Sequence, residues 1–445
     1  MMLTTLTRKF KPFFVEIRKS RLQIIKSSGL LTVYNFIVKS PLKDIIDEEF
    51  HDRRNQKLIT YLSSEFILSI LLRLIDGSIR LYHFRYKVNN ELFVRLFQHH
   101  QVPHFTTLLY FLTRNIEHAH HAFERIHFRY AIWVLTQEIR ARDLRTITID
   151  VDATASTIYG NQEGAEKGYN PEKRNARCYQ LQVWSIRETK TLLKVELRNG
   201  SVHCSHGFLD DLKKLIPELK KLGVKIRLAA DSGYEKYEVF DYLDEQEVGF
   251  IIAQKQRKTV KNAGKWAKNK KTSRKYDCTL KERQLGTKKG VYRQIFVQVD
   301  RVYDEDGQLY ILAFAADEFT NVFATNMALS AVNIYGLYRE HAQVETIIGE
   351  LKSGFGAVKS RCEKFAVNQS LAQLCGIAYT IKTFYSSRIV QNNDSIPDIA
   401  TLRDEELHVP GYFSNHSGKH VFNVIASSYE RFSTMFSRVA DFKSI

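Results

Sequence analysis

The sequence predicts an α/β fold: a mixed five-stranded sheet with flanking helices, a helical N-terminal domain, and a basic strand-containing insertion before the last core helix. Three observations predict it. Residues 1 to about 140 carry helical patterning. From Thr146 to Ala253 the pattern changes to alternating runs and then to strands separated by helices. Between Lys255 and Lys289 fourteen Lys or Arg face two acids, a surplus of +12.

In the first region, Glu65-Phe-Ile-Leu-Ser-Ile-Leu-Leu-Arg-Leu-Ile75 has the apolar density of a buried helix. Gln101 to Thr107 reads as a turn into another, with Pro103 and Thr106 as start signals. His99, His100, His104, His118, His120 and His121 lack a ligand spacing and fit solvated helix faces or neighbours of phosphate.

Thr146-Ile-Thr-Ile-Asp-Val-Asp152 alternates strictly and predicts the first strand. Tyr179 to Ile186 and Leu192 to Leu197 predict two more, joined by a turn at Arg187-Glu-Thr-Lys190 and paired antiparallel. Phe208 to Leu222 has helical spacing and stops at Gly223, with Pro217 expected to kink or split it. Val224 to Ala230 is the fourth strand, ending at Asp231-Ser-Gly233; Tyr234 to Glu247 is helical; Val248 to Ala253 is the fifth strand. The order β-β-β-α-β-α-β is the RNase H-like arrangement, in which the first and fourth strands lie side by side. Ligands of open α/β sheets bind beyond the strand carboxyl ends, where Asp152 and Asp231 fall. Two strand-like runs, Val291 to Val299 and Leu309 to Ala315, complete the insertion. The expected domains are 1–140, helical and contacting DNA ends; 141–254 with 321–390, the catalytic core; 255–320, the basic insertion; and 391–445, a C-terminal region.

Composition narrows the function. The chain has 445 residues, a net charge of +17 and a pI near 9.4, so its field attracts polyanions. The most apolar run, Phe66 to Ile75, is broken by Arg73 and is shorter than the roughly 20 residues of a membrane span. Met1 to Lys26 has no long apolar stretch and no small-residue cleavage site, and is not expected to act as a secretory signal. Five scattered cysteines fit reduced thiols in a cytoplasm; His203-Cys204-Ser205-His206 is too cramped for a zinc knuckle.

Carboxylates supply the chemistry. Asp150 and Asp152 share one face of the first strand, and either can reach a metal, although strand-end carboxylates are often turn formers. Tyr338, His341, Glu345 and Lys352 fall on one face of a predicted helix, beside the apolar stripe Val344, Ile347 and Leu351.

Tyr338-x2-His341-x3-Glu345-x6-Lys352 resembles the Tyr-Arg-Glu-Lys signature of DDE transposases from bacterial insertion sequences. Asp150-Val-Asp-Ala-Thr154 and Leu228-Ala-Ala-Asp-Ser-Gly-Tyr234 are similar to that family's first and second aspartate strands. Gly168-Tyr-Asn-Pro171, Asn368-Gln369 and Ala378-Tyr379 also fit. The branch most similar is insertion-sequence family thirteen-eighty, DDE group one, over about residues 101–385. The resemblance implies that Asp152, Asp231 and Glu345 hold two Mg²⁺ or Mn²⁺ ions for cleavage and strand transfer. It selects Asp152 over Asp150, because Ala153-Thr154 follows. It implies terminal inverted repeats and target DNA as partners, a homodimer in the synaptic complex, no membrane, and a cytoplasmic, nucleoid-associated location. Tyr338, His341 and Lys352 would contact DNA. His341 stands where the signature has Arg; histidine is shorter and lacks the bidentate phosphate fork, so His341→Arg is expected to strengthen the grip. Lys265, Lys268, Lys270 and Lys271 are expected to add phosphate contacts, and Trp266 a stacking face. The alternatives are a domesticated copy that only binds DNA, and another RNase H-fold nuclease.

Overall fold

The alternating segment at Thr146 forms a strand that runs past Asp152: β1 spans Thr146–Thr157. A short β2 (Glu166–Lys167) pairs with β3 (Arg177–Ile186), which lies antiparallel to β1 and to β4 (Thr191–Asn199). β5 (Lys225–Ala230) lies parallel to β1, and β6 (Gly249–Ala253) parallel to β5. The first and fourth expected strands are thus neighbours. This is a computed structural model, describing residues 24–443 apart from 55–59, 88–90, 98–102, 256–266, 273–275, 287–289, 304–308, 313–319, 360–361, 391–395 and 417–418.

The sheet is larger than five strands. β7 (Ala267–Thr272), β8 (Tyr276–Gly286), β9 (Val291–Tyr303), β10 (Leu309–Leu312) and β11 (Thr320–Thr325) follow β6. β11 pairs antiparallel with both β6 and β9, and carries β9, β8 and β7 outward, giving one eleven-stranded sheet. The physical reason is the β6 edge, whose unpaired backbone groups β11 satisfies. β7, Ala-Lys-Asn-Lys-Lys-Thr, has no apolar alternation to announce it.

Odd-numbered residues of β1, Ile147, Ile149 and Val151, pack with Leu212, Leu215, Ile216 and Leu219 of the helix Phe208–Lys220 and with Val239 and Phe240 of Tyr237–Glu245. Pro217 neither splits nor ends the first of these helices; four buried residues on one face hold the turn around it. The opposite side of the sheet packs on the helix Phe365–Tyr385, which is buried almost throughout. That helix also meets Ser63–Ile75 and Ala119–Arg142, so the N-terminal helices and the sheet share one apolar cluster. The expected helix start near Pro103 is the helix Phe105–Arg114, capped by the His104 ring, which accepts from the Thr106 N–H at 3.5 Å.

The expected helix from Tyr338 to Lys352 is helical throughout but changes its winding along the way. A helix Ala331–Arg339 gives way to a tight turn at Glu340–Ala342, the helix Gln343–Glu350, and a widened turn Leu351–Phe355. Each change of winding shifts the phase of the face, so signature residues are positioned by their contacts as well as their spacing. After residue 395 come a hairpin, β12 (Gly411–His416) and β13 (Lys419–Val424), and the helix Tyr429–Asp441. Among the described residues no helix is long and apolar enough to cross a membrane.

Candidate active site

Val151 pairs with Ala230 in the parallel β1–β5 register, so Asp152 and Asp231 follow side by side; Asp231 lies just past the end of β5, whereas Asp152, expected at a strand end, lies within β1, whose pairing with β3 carries it on to Thr157. Asp152 is half-buried, and its Oδ1 accepts from the Ala153 N–H at 2.7 Å. Asp231 folds back into its own turn, Oδ1 accepting from the Gly233 N–H at 2.9 Å. Gly233 is required there, because a Cβ would collide with the Cys204 Sγ. The helix Gln343–Glu350 packs on β1 and β3, buries Val344 and Ile347, and leaves Glu345 exposed.

The three carboxylates sense one another. Burial pushes the Asp152 carboxyl up to about 6; the Ala153 N–H opposes this, and the charges of Asp231 and Glu345 add to it. Burial, then Asp231, Asp152 and Glu345, raise the Tyr338 phenol above its ordinary value and keep it a donor. Among the described residues no three His, Cys, Asp or Glu side chains are grouped closely enough to hold a metal ion as they stand. The donor set is nonetheless all hard oxygen, and its crowded negative charge is what a divalent cation neutralises. By donor type alone these residues suit a divalent cation.

Asp150 has another employment. It is 1% exposed, and Arg187 grips it with a guanidinium fork, Nε to Oδ2 at 2.8 Å and Nη2 to Oδ1 at 2.6 Å. His341, 7% exposed, places Nδ1 2.8 Å from the same Oδ1. A carboxylate only accepts, so Nδ1 carries the proton and Nε2 is the nitrogen left for other partners. Arg187 also donates to the Leu337 carbonyl at 2.7 Å and meets Glu340 at 3.2 Å. The chain Arg187–Asp150–His341 therefore ties the start of the Glu345 helix to β1. At the other end, Lys382, 1% exposed at its side chain, meets Glu350 at 2.7 Å, and Glu350 accepts from the Ile399 N–H at 2.7 Å.

Sequence reasoning missed Arg187, read as a turn residue, and the Lys382–Glu350 pair. A signal existed for Arg187: two strand carboxylates on one face exceed what one site needs, and the surplus one requires a cation. Lys352 stands 3.6 Å from Glu172, in the segment between β2 and β3. Lys268, Lys270 and Lys271 lie on β7, in register with Lys281, Thr279 and Cys278 of β8. Lys265 and Trp266 lie outside the described residues.

Beside this geometry stands a family match: the sequence model described as transposase DDE domain group 1 matches residues 15–411. The chain belongs to this family. The match covers the three-carboxylate site, the N-terminal helices and the strands added beyond β6. No curated protein matches the chain. Among solved structures, the chain is similar to piggyBac transposase in a cryo-EM synaptic complex with hairpin DNA, at 11% identity and a TM-score of 0.40, over 85% of this chain and 79% of that one.

Proposed function

We propose that this DDE-family chain is an active transposase of the bacterial insertion-sequence kind, cutting DNA at the ends of its element and joining them to target DNA. What supports the reading is that Asp152 on β1 and Asp231 just past β5 follow paired residues, and that the charges of Asp231 and Glu345 both reach Asp152. Asp152, Asp231 and Glu345 would hold two Mg²⁺ or Mn²⁺ ions. Such ions, when bound, polarise phosphate oxygens and lower the pKa of an attacking water or 3′-hydroxyl.

The chain's own groups do the rest. Tyr338, held protonated, donates to a phosphate oxygen near the scissile bond. Lys352 exchanges Glu172 for a DNA phosphate. His341, held by Asp150, presents Nε2 as a fixed single donor or acceptor in place of an arginine fork. The cations of residues 255–289, including Lys265, Lys268, Lys270 and Lys271, hold the duplex by charge, with Trp266 among them as a stacking face. DNA is the partner, as terminal inverted repeats and target, and a homodimer would pair two ends in a cytoplasmic, nucleoid-associated complex.

The test is Ala at each of Asp152, Asp231 and Glu345. Mg²⁺-dependent nicking at the inverted repeats bracketing the gene should be lost in all three, with binding to the same DNA retained. Nicking that survives in all three refutes the assignment. A wild type that binds these ends and never cuts them is a DNA-binding protein instead. Neutralising Lys265, Lys268, Lys270 and Lys271 should weaken binding to every sequence alike and flatten its salt dependence; unchanged slopes remove that segment from the interface.

A further inference from the structure

β1 does not stop at the active site. It continues five residues past Asp152 to Thr157, about 16 Å at roughly 3.3 Å per residue. There it enters a cleft of about 610 Å³, lined on one side by residues 156–160 and Gln162 and on the other by residues 80–82 with Val358 and Lys359. Tyrosines from the two walls line it: Tyr159, 85% exposed, and Tyr82, 47% exposed. Arg80 and Lys359 are in the lining and no acid is. The Lys173 ammonium lies 5.1 Å from the centre of the Tyr159 ring, adding a third cation.

Single exposed tyrosines need no explanation. Two that line one cleft, among cations without acids, at the far end of the strand that carries Asp152, form a surface with the chemistry of a nucleotide: flat aromatic faces for bases and positive charge for phosphates. The volume suits a ligand of drug size.

We propose that this cleft binds unpaired nucleotides of a DNA strand whose phosphate is at the carboxylates, with Tyr159 and Tyr82 stacking on bases and Arg80 and Lys359 on the backbone. The proposal rests on the transposase reading and assigns it a single-strand subsite. Tyr159 is the probe of choice, because a side chain so exposed is removable without disturbing the core.

The test uses the full chain and two DNAs, a blunt duplex and the same duplex carrying a four-thymidine 3′ overhang with a fluorescent base analogue in it. Wild type should bind the overhang DNA more tightly and quench the analogue. Tyr159→Ala should weaken overhang binding roughly five- to 150-fold, the range for one stacked base, with blunt-duplex binding unchanged. Tyr159→Phe should restore it. Arg80→Gln with Lys359→Gln should lower the salt slope by about 1.4 for the overhang alone. Equal effects of Tyr159→Ala on both DNAs, or none on either, overturn the cleft assignment. If wild type binds neither DNA, the proposal falls together with the transposase reading. If wild type binds and nicks while Tyr159→Ala changes nothing, the cleft alone is refuted.

Discussion

Replacing Arg187 with Met tests how the Glu345 helix is held. The substitution keeps the side chain's reach and removes its charge. It would leave the Asp150 carboxylate, 1% exposed, with the His341 Nδ1–H as its remaining side-chain donor beneath the helix, and the Leu337 carbonyl without its 2.7 Å donor. Breaking a buried pair by deleting one member costs about 3–5 kcal/mol, against a total stability of about 5–15 kcal/mol for a folded protein. Asp150→Asn should cost less, about 1.5–3 kcal/mol, because Arg187 keeps Leu337 and Glu340. The double variant should be less damaged than the sum by at least about 1.5 kcal/mol, since neither charge is then stranded. Urea unfolding of the wild type, both singles and the double gives that coupling. Metal-dependent nicking should also fall, about 10- to 100-fold in Arg187→Met, the usual cost of losing an outer support of a metal site. Additivity within about 0.5 kcal/mol, or full nicking activity in Arg187→Met, would refute the clamp.

Three further outcomes follow from the same geometry. His341→Arg should lower thermal stability and nicking together, because it sets a second guanidinium beside Arg187 on one buried carboxylate; a rise in strand transfer would restore the weakened-grip expectation drawn from the signature. Lys382→Met should destabilise by about 3–5 kcal/mol by stranding Glu350, and Lys382→Met with Glu350→Gln should recover much of the loss in chemical unfolding; a double no better than the single would contradict the pairing. Without metal, Asp152 should make stability fall with rising pH: its folded pKa of about 6 lies above the ordinary 3.8, so its contribution is complete below about pH 4 and lost as pH rises through about 6. The loss is on the order of 3 kcal/mol, disappears in Asp152→Asn, and shrinks on adding Mg²⁺; a melting curve in which the variant keeps the full pH slope would assign it to another group.

The central sheet was legible because each strand announces itself locally. β1 alternates, β3 and β4 flank a short polar turn, and β5 and β6 are apolar runs that follow helices. The end of β5 at Asp231 was legible for the same reason, whereas β1 runs on past Asp152. What failed was whatever depends on distant pairing. β7 has five polar residues in six and gains its place from β8. β11 is a strand because β6 needs an edge partner. The Glu345 helix was drawn as one cylinder because spacing sees only period, and spacing does not register that Arg187 and Asp150 fasten the chain near residue 341.

Asp150 and Asp152 show where residue pattern stops and packing decides. Two residues apart on one strand, they share a face and a chemistry, and alternation cannot separate them. Burial and partners do. Asp150 lies beneath the helix start, where Arg187 and His341 together take both its oxygens; to serve a metal it would have to abandon two charge-assisted bonds. Asp152 lies one pleat nearer the strand end, accepts from its neighbour's N–H at 2.7 Å, and is destabilised as an anion by burial and by two other carboxylates. One carboxylate is already neutralised and the other is not. A cation arriving at this edge of the sheet gains most at Asp152, and the order of the two roles along β1 follows from which of them the protein has already paired.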